Sequence, residues 1–432
     1  MNEMQSEFIE IQQLRLGMYV DLELGWMSHP FPKGSFKISS VKQIEIIRSL
    51  GLKRVRYVAE KSDLVEAIQV EAAQVAGVLA PALPSAANRN VDAELALRKQ
   101  RTDALGSQQR ELAVCERRFG DAIREHKQIV AQANAKPHEA MTQCLGLVST
   151  FVGEMLGEGD SAIRLLSEGM GDKAAMHPIN VTIVSLLLGK SLGLSQSEMV
   201  DLGMAAFLHD IGKSQLPDRV RWLDDNFSSA EYKLYQDHVG QSVMLGKRMD
   251  LTPGALQAIE QHHELVDGSG FPARIKGDRM STAAKILALV NRYDNLCNPL
   301  RPAAALTPHE ALSLIFAQLK TRFDGVVLGG FIRMMGVYPP GSVVQLADER
   351  FAIVVSVNSS RPLKPRVVVH DAGVPKHEAL ILDLEQMPNL GIRRSLKPVS
   401  LPRAALDYLS PRLRICYFFE RSIESSMPEA SA

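Results

Sequence analysis

Residues 207–217 read FLHDIGKSQLP, with a histidine and an aspartate side by side at the end of an apolar stretch. Leu202, Ala205 and Ala206 lead into this stretch at helical spacing, so His209 falls on the same stripe as the residues that face a core. A buried polar side chain is costly unless it is paired or bound to metal. Asp210 follows at once. Its two oxygens suit it to bridge two cations, whereas a neutral imidazole offers a single lone pair. Gly212 allows a sharp turn at the helix end, and Lys213 then projects close to the same point, where a cation can meet a phosphate oxygen.

The pattern repeats outward in both directions. His177 shares a stripe with Val181, Val184 and Leu188. His238 lies between Leu234 and Leu245, His262 and His263 follow Ile259 by three and four residues, and Asn291 and Asp294 follow Leu287 in the same way. A single histidine on an apolar face is usually a hydrogen-bonded core residue. Five helices that each turn such a group inward predict a metal cluster, because imidazoles with carboxylates among them suit zinc, manganese or iron. Two metals ~3.5–4 Å apart can activate water and steady both the attacking and the leaving oxygen of a phosphoryl displacement.

Length and composition frame this site. A chain of 432 residues is long for a single core and predicts two or three domains. Lysine plus arginine and aspartate plus glutamate both number 49, which removes any general attraction to DNA, RNA or anionic membrane. The four cysteines, Cys115, Cys144, Cys297 and Cys416, form no CxxC pair, which fits a reducing compartment and excludes a cysteine zinc site. The N-terminus, MNEMQSEFIE, lacks a signal-peptide pattern, and no uncharged apolar run reaches the ~20 residues of a membrane span. A cytoplasmic protein is expected.

The expected organisation has four parts. Residues 1–78 form a small α+β domain, with strands at FIEI, MYVDLEL and KRVRYV and a helix over 39–51 marked by Val41, Ile44, Ile47 and Leu50. Residues 79–136 are a linker, of loop composition to about 92, and a connecting helix. In that helix Leu105, Leu112 and Phe119 keep heptad spacing among polar companions, so it is a candidate for homodimer contact rather than a stable coiled coil. Residues 137–335 read as almost entirely helical. Residues 336–432 form a β-rich appendage, with two strands around a tight turn in 338–358 and further candidates at PRVVVH and ALILDL. The fold class is mainly α.

MHPINV, FLHDIGKSQLP, DHVGQSVML and HHELVDGSGFP, in this order, resemble an HD-GYP domain, a branch of the HD superfamily of metal-dependent phosphohydrolases. The segment QLRLGMYVDLELGWMSHPF is similar to a domain of unknown function that often precedes such domains. The resemblance implies an all-helical hydrolase core that hydrolyses cyclic di-GMP to pGpG and onward to GMP. It implies that His177, His209, Asp210, His238 and His262 ligate metal, with His263 nearby, and that iron or manganese is bound. Asp210 and Lys213 are the expected catalytic residues.

Asp267, Gly268, Gly270, Phe271 and Pro272 form the expected rim loop, with Gly268 and Gly270 at positive φ and Pro272 stiffening it. In the family this loop is implicated in contact with diguanylate cyclase (GGDEF) domains. Three positions depart from the family pattern. Phe271 replaces a tyrosine. Lys173 stands where trinuclear members carry a glutamate, so two divalent metals are expected. Asn291 stands where a metal-ligating aspartate is usual, leaving a weaker ligand with Asp294 as its candidate substitute. Two alternatives stay open: a catalytically weak or inactive protein that binds cyclic di-GMP or a GGDEF partner, and a hydrolase of another cyclic dinucleotide.

Overall fold

The chain divides into two compact units, Met1–Ala86 and Ala87–Ala432. The computed structural model describes residues 6–15, 17–22, parts of 35–58, 61–62 and 86–421, with short breaks at 158, 160, 168–172, 225, 359–362 and 388. Among these residues no helix is long and apolar enough to cross a membrane.

In the first unit, β1 (Ser6–Glu10), β2 (Tyr19–Asp21), β3 (Ser35–Lys37) and β4 (Arg54–Val58) make an antiparallel sheet in the order β1-β4-β2-β3. Alternation decides which face is covered: Val20 is fully buried while Tyr19 and Asp21 are half-buried. Val20 and Val55 share a core with Leu14, Ile38, Ile44 and Ile47. The helix expected over 39–51 lies mostly outside the described residues, although Ile44 and Ile47 are buried as its spacing requires.

The second unit opens with α1 (Ala86–Gln132). This helix begins inside the stretch whose composition suggests a linker to about residue 92. Its later turns bury Phe119, Ala122, Ile123 and Ile129 in the main core, so the connecting helix is also a wall of that core. Nine more helices follow before residue 336 among the described residues, counting those of eight residues or longer. Those that position the site are α2 (Pro137–Leu156), α3 (Lys173–Ser191), α4 (Gln196–Leu208), α5 (Ser229–Gln236), α6 (His238–Arg248), α7 (Pro253–Gln261) and α8 (Thr282–Cys297). Caps set their starts. Ser195 and Ser228 each form a reciprocal capping box with the glutamate three residues on, and Thr252 and Ser281 accept from the first turns of α7 and α8.

One strand interrupts the helical region. β5 (Ser161–Leu165) lies within a seven-stranded antiparallel sheet whose other strands come from residues 343–421. Ile163 pairs with Val357 of β7 (Phe351–Asn358) on one side and with Phe419 of β11 (Tyr417–Arg421) on the other. The expected strands at 343–346, 351–358, 366–369 and 381–383 are present. They share one continuous core with the helices: Phe151 of α2 meets Phe418 and Phe419 edge-on at 5.8 and 6.1 Å. The β-rich tail is therefore no detached appendage. A buried ion group ties the sheet together, with Arg164 3.3 Å from Glu420 and the Ser356 hydroxyl donating to Glu420 at 2.8 Å. Each partner needs the other, because a lone buried charge is strongly destabilising.

Candidate metal centre

Four histidines point their Nε2 atoms at one buried spot. His209 sits at the C-terminal end of α4, His238 opens α6 and His262 ends α7. Each donates its Nδ1–H to the carbonyl three residues earlier: Ala206 at 2.7 Å, Tyr235 at 2.5 Å and Ile259 at 2.6 Å. A carbonyl can only accept, so the proton is on Nδ1 and the free lone pair is on Nε2. His177 of α3 obeys the same logic through a side chain, donating Nδ1–H to Asp294 Oδ2 at 2.5 Å.

The Nε2 atoms then meet in pairs, His177 with His209 at 3.2 Å and His238 with His262 at 3.3 Å. With both nitrogens of a pair unprotonated, each contact sets lone pair against lone pair. A cation between them removes that conflict, and the separations let both nitrogens reach one ion at ~2.0–2.1 Å. Asp210 stands between the pairs. Its Oδ2 is 3.6 Å from His177 Nε2 and 3.3 Å from His209 Nε2, while its Oδ1 is 3.5 Å from His238 Nε2 and 3.8 Å from His262 Nε2. One carboxylate oxygen thus serves each pair, and the donor atoms fall into two groups that share Asp210. Asp210 Oδ1 and His263 Nε2 are buried without hydrogen-bond partners, which fits atoms waiting for a metal.

Electrostatics favour the ligating protonation states. Burial holds His177, His262 and His263 below the usual histidine range and His238 down to about 4. For Asp210, burial opposes ionisation, but Lys213, His209 and His238 outweigh it and hold the carboxyl well below its ordinary value. These four imidazoles are therefore neutral and the carboxylate charged at neutral pH, as metal binding requires. Lys213 Nζ lies 2.6 Å from Asp210 Oδ2 and over the Trp222 ring at 4.7 Å.

Asp294 differs from its expected part as a substitute ligand. Its Oδ2 accepts from His177, and its Oδ1 accepts from Asn180 and Asn298, both at 2.9 Å. Facing the back of His177, it orients that ring. Asn180 and Asn298 also both donate to the Ile415 carbonyl, at 2.7 and 2.9 Å, and accept from the Tyr417 and Ile415 amides. Asn291 is buried beside His262 and His263 on a cavity wall, with its Oδ1 accepting from Asn295 at 2.7 Å. Lys173 begins α3, and its side chain is outside the described residues.

Two glycine expectations change. Gly268 has φ 79°, as anticipated, but Gly270 is not at positive φ. A Cβ on Gly270 would lie 2.5 Å from the Glu264 Cα and the His263 carbonyl, so close backbone approach is what demands glycine. Gly212 is similar: its Cβ would meet the His238 carbonyl at 2.3 Å, where α6 crosses the HD turn. Ser242 fastens that crossing, donating to the His209 carbonyl and accepting from the Gly212 amide.

Asp267 accepts from the Ser269 amide and hydroxyl to start the rim loop. The Phe271–Pro272 peptide is cis, and Phe271 stacks on His263 with centroids 4.5 Å apart. Glu264 holds the loop's far end by accepting from the amides of Ala273, Arg274 and Ile275 at 2.6, 3.0 and 3.1 Å. Both Glu264 oxygens are thus spent on the loop. His126 of α1, which the sequence did not single out, packs edge-on against Phe207 at 4.9 Å and is lowered to about 4, chiefly by burial.

Known proteins bear on this geometry. The HD domain family matches residues 162–327, and a domain of unknown function, DUF3391, matches residues 7–144. The chain is 29% identical over 367 residues to a cyclic di-GMP phosphodiesterase of Pseudomonas aeruginosa, covering 84% of each protein. It is 32% identical to the cyclic di-GMP phosphodiesterase response regulator RpfG of Xanthomonas campestris, over 35% of this chain and 40% of that one. A 3'3'-cGAMP-specific phosphodiesterase of Vibrio cholerae is 24% identical over 38% of this chain and 36% of its own length. Residues 162–327, which carry the HD pair at the centre of the buried histidines, thus match the HD domain, and the DUF3391 match lies ahead of them.

Proposed function

We propose that this chain is a metal-dependent phosphodiesterase that hydrolyses cyclic di-GMP to pGpG and onward to GMP. One observation carries the proposal: Asp210 offers one oxygen to each of two facing imidazole pairs. The relative from Pseudomonas aeruginosa, similar across most of both chains, supports the substrate. His177 and His209 would hold one divalent cation and His238 and His262 the other, with Asp210 common to both groups and His263 in the second. Asn291 would add a weak oxygen once its Oδ1 is released from Asn295. The imidazoles suit iron, and the carboxylate oxygens of Asp210 suit manganese.

Bound divalent cations supply Lewis acidity towards phosphorus and acidify water. The protein's own groups do the rest. The four oriented rings keep their lone pairs fixed, so no reorganisation is needed as charge develops. Lys213 leaves Asp210 Oδ2 to meet a non-bridging phosphate oxygen. Phe271, stacked on His263, keeps bulk water from that side. The exposed rim residues Asp267, Ser269 and Pro272 suit contact with a GGDEF domain, and self-association through α1 completes the reading.

The test is direct. Purified protein supplied with manganese or iron(II) should convert cyclic di-GMP to pGpG, followed by chromatography, with two metals per chain by elemental analysis. Protein that takes up two metals and leaves the nucleotide intact would defeat the enzyme reading. Asn291 favours a second reading, in which the site binds nucleotide without turnover. Asn291→Asp separates the two: activity at limiting metal should rise in an enzyme, since a carboxylate is the better partner for a dication, and stay absent in a binding protein.

A further inference from the structure

Above His262 and His263 opens a cavity of about 420 Å³, within the ~300–1,000 Å³ usual for small-molecule sites. Its charge is one-sided. Lys213, Arg292, Arg301 and Arg322 line it, and no described aspartate or glutamate does, in a chain whose formal charges cancel. Two of these cations are already engaged, Lys213 with Asp210 at 2.6 Å and Arg301 with Asp224 at 3.0 Å. Arg292 and Arg322 form no ion pair among the described residues. Both residues are exposed, and Arg322 feels the charge of Asp267 from beyond ion-pair distance. Two guanidiniums with no carboxylate in ion-pair range thus line a cavity beside the histidine cluster.

We propose that Arg292 and Arg322 bind the second phosphodiester of a cyclic dinucleotide, the one that is not at the histidine cluster. This rests on the phosphodiesterase reading above. The substrate carries two phosphodiesters on opposite sides of its ring, and only one can lie at Asp210. Arg292 and Arg322 are placed for the other, because they line the same cavity as His262 and His263. Guanidinium forks match phosphate oxygens in bidentate fashion.

Full-length, manganese-loaded protein is compared with Arg292→Ala, Arg322→Ala, the double variant and Arg292→Lys. The substrates are cyclic di-GMP and bis(p-nitrophenyl) phosphate, which has a single phosphodiester. KM for cyclic di-GMP should rise about tenfold for each alanine variant, the effect of one partly exposed charged contact, with kcat little changed. Arg292→Lys should recover part of the loss, and bis(p-nitrophenyl) phosphate should be cleaved as by wild type. Unchanged KM values overturn the proposal. Equal loss on both substrates also overturns it, by assigning the arginines to the shape of the site.

Arginine pairs with guanine edges too. Variants that weaken inhibition by cyclic di-GMP and leave inhibition by cyclic di-AMP intact would therefore replace the phosphate assignment with base recognition. Wild-type protein that cleaves only bis(p-nitrophenyl) phosphate defeats the cyclic di-GMP reading and this inference with it. Variants with wild-type KM on a substrate the wild type does cleave defeat the arginine pair alone.

Discussion

His238 and His262 are aimed from within their own surroundings, whereas His177 is aimed from across the core. The first two donate to carbonyls three residues back, so forming the local helix end is enough to turn the ring. His177 needs Asp294 from α8, and Asp294 needs Asn180 and Asn298, which in turn hold residues 415–417. Three of the four rings, His209 among them, are turned by local structure, and His177 alone depends on a network whose contacts span more than 230 positions. The difference teaches that two ligand pairs of similar geometry can depend on very different amounts of the fold.

The strongest way to break the comparison is to remove what the halves share. Asp210→Ala should empty both pairs and abolish turnover, and elemental analysis showing wild-type metal content would end the binuclear assignment. Lys213→Ala should leave metal content intact and lower kcat by ~10²–10³, the loss usual for one transition-state charge contact; a wild-type rate would return Lys213 to a structural partner of Asp210.

Asp294→Asn sharpens the comparison most. It keeps the shape and removes the charge behind His177, so metal affinity should fall ~10–100-fold. The loss should be confined to one of the two metals in a titration, and uniform weakening of both would contradict independent support. The smallest effect belongs to the other half. Phe271→Tyr keeps the ring stacked on His263 and adds no ligand, so steady-state rates should stay within about twofold, as expected for a surface change that breaks no buried contact. A large rise would mean that the missing hydroxyl matters to substrate.

The three locally aimed rings were legible in the sequence. His209, His238 and His262 stand on apolar stripes at helical spacing, and Asp210 beside His209 announces a shared carboxylate. The support behind His177 was legible only in its members. His177 and Asp294 could each be singled out, but nothing in their spacing shows that one lies behind the other. β5 was missed for the same reason: SAIRL is five residues long, and its partners lie about 190 and 250 positions downstream. Gly270 was recognised as constrained and given the wrong constraint, because close approach of a folded-back backbone leaves no trace in a single chain, whereas a turn composition does.

The bonds from Asn180 and Asn298 to residues 415–417 also set an order of events during synthesis. Every histidine of the cluster leaves the ribosome more than 150 residues before Tyr417. Until that segment emerges, Asn180 and Asn298 lack their backbone partners, and β5 lacks the strand that pairs Tyr417 with Leu165. The nascent chain can therefore shape the His238 and His262 pair early, but it completes the support behind His177 only once residues 415–417 have emerged. A ribosome stalled before residue 415 would display a centre whose His177 side still lacks that support.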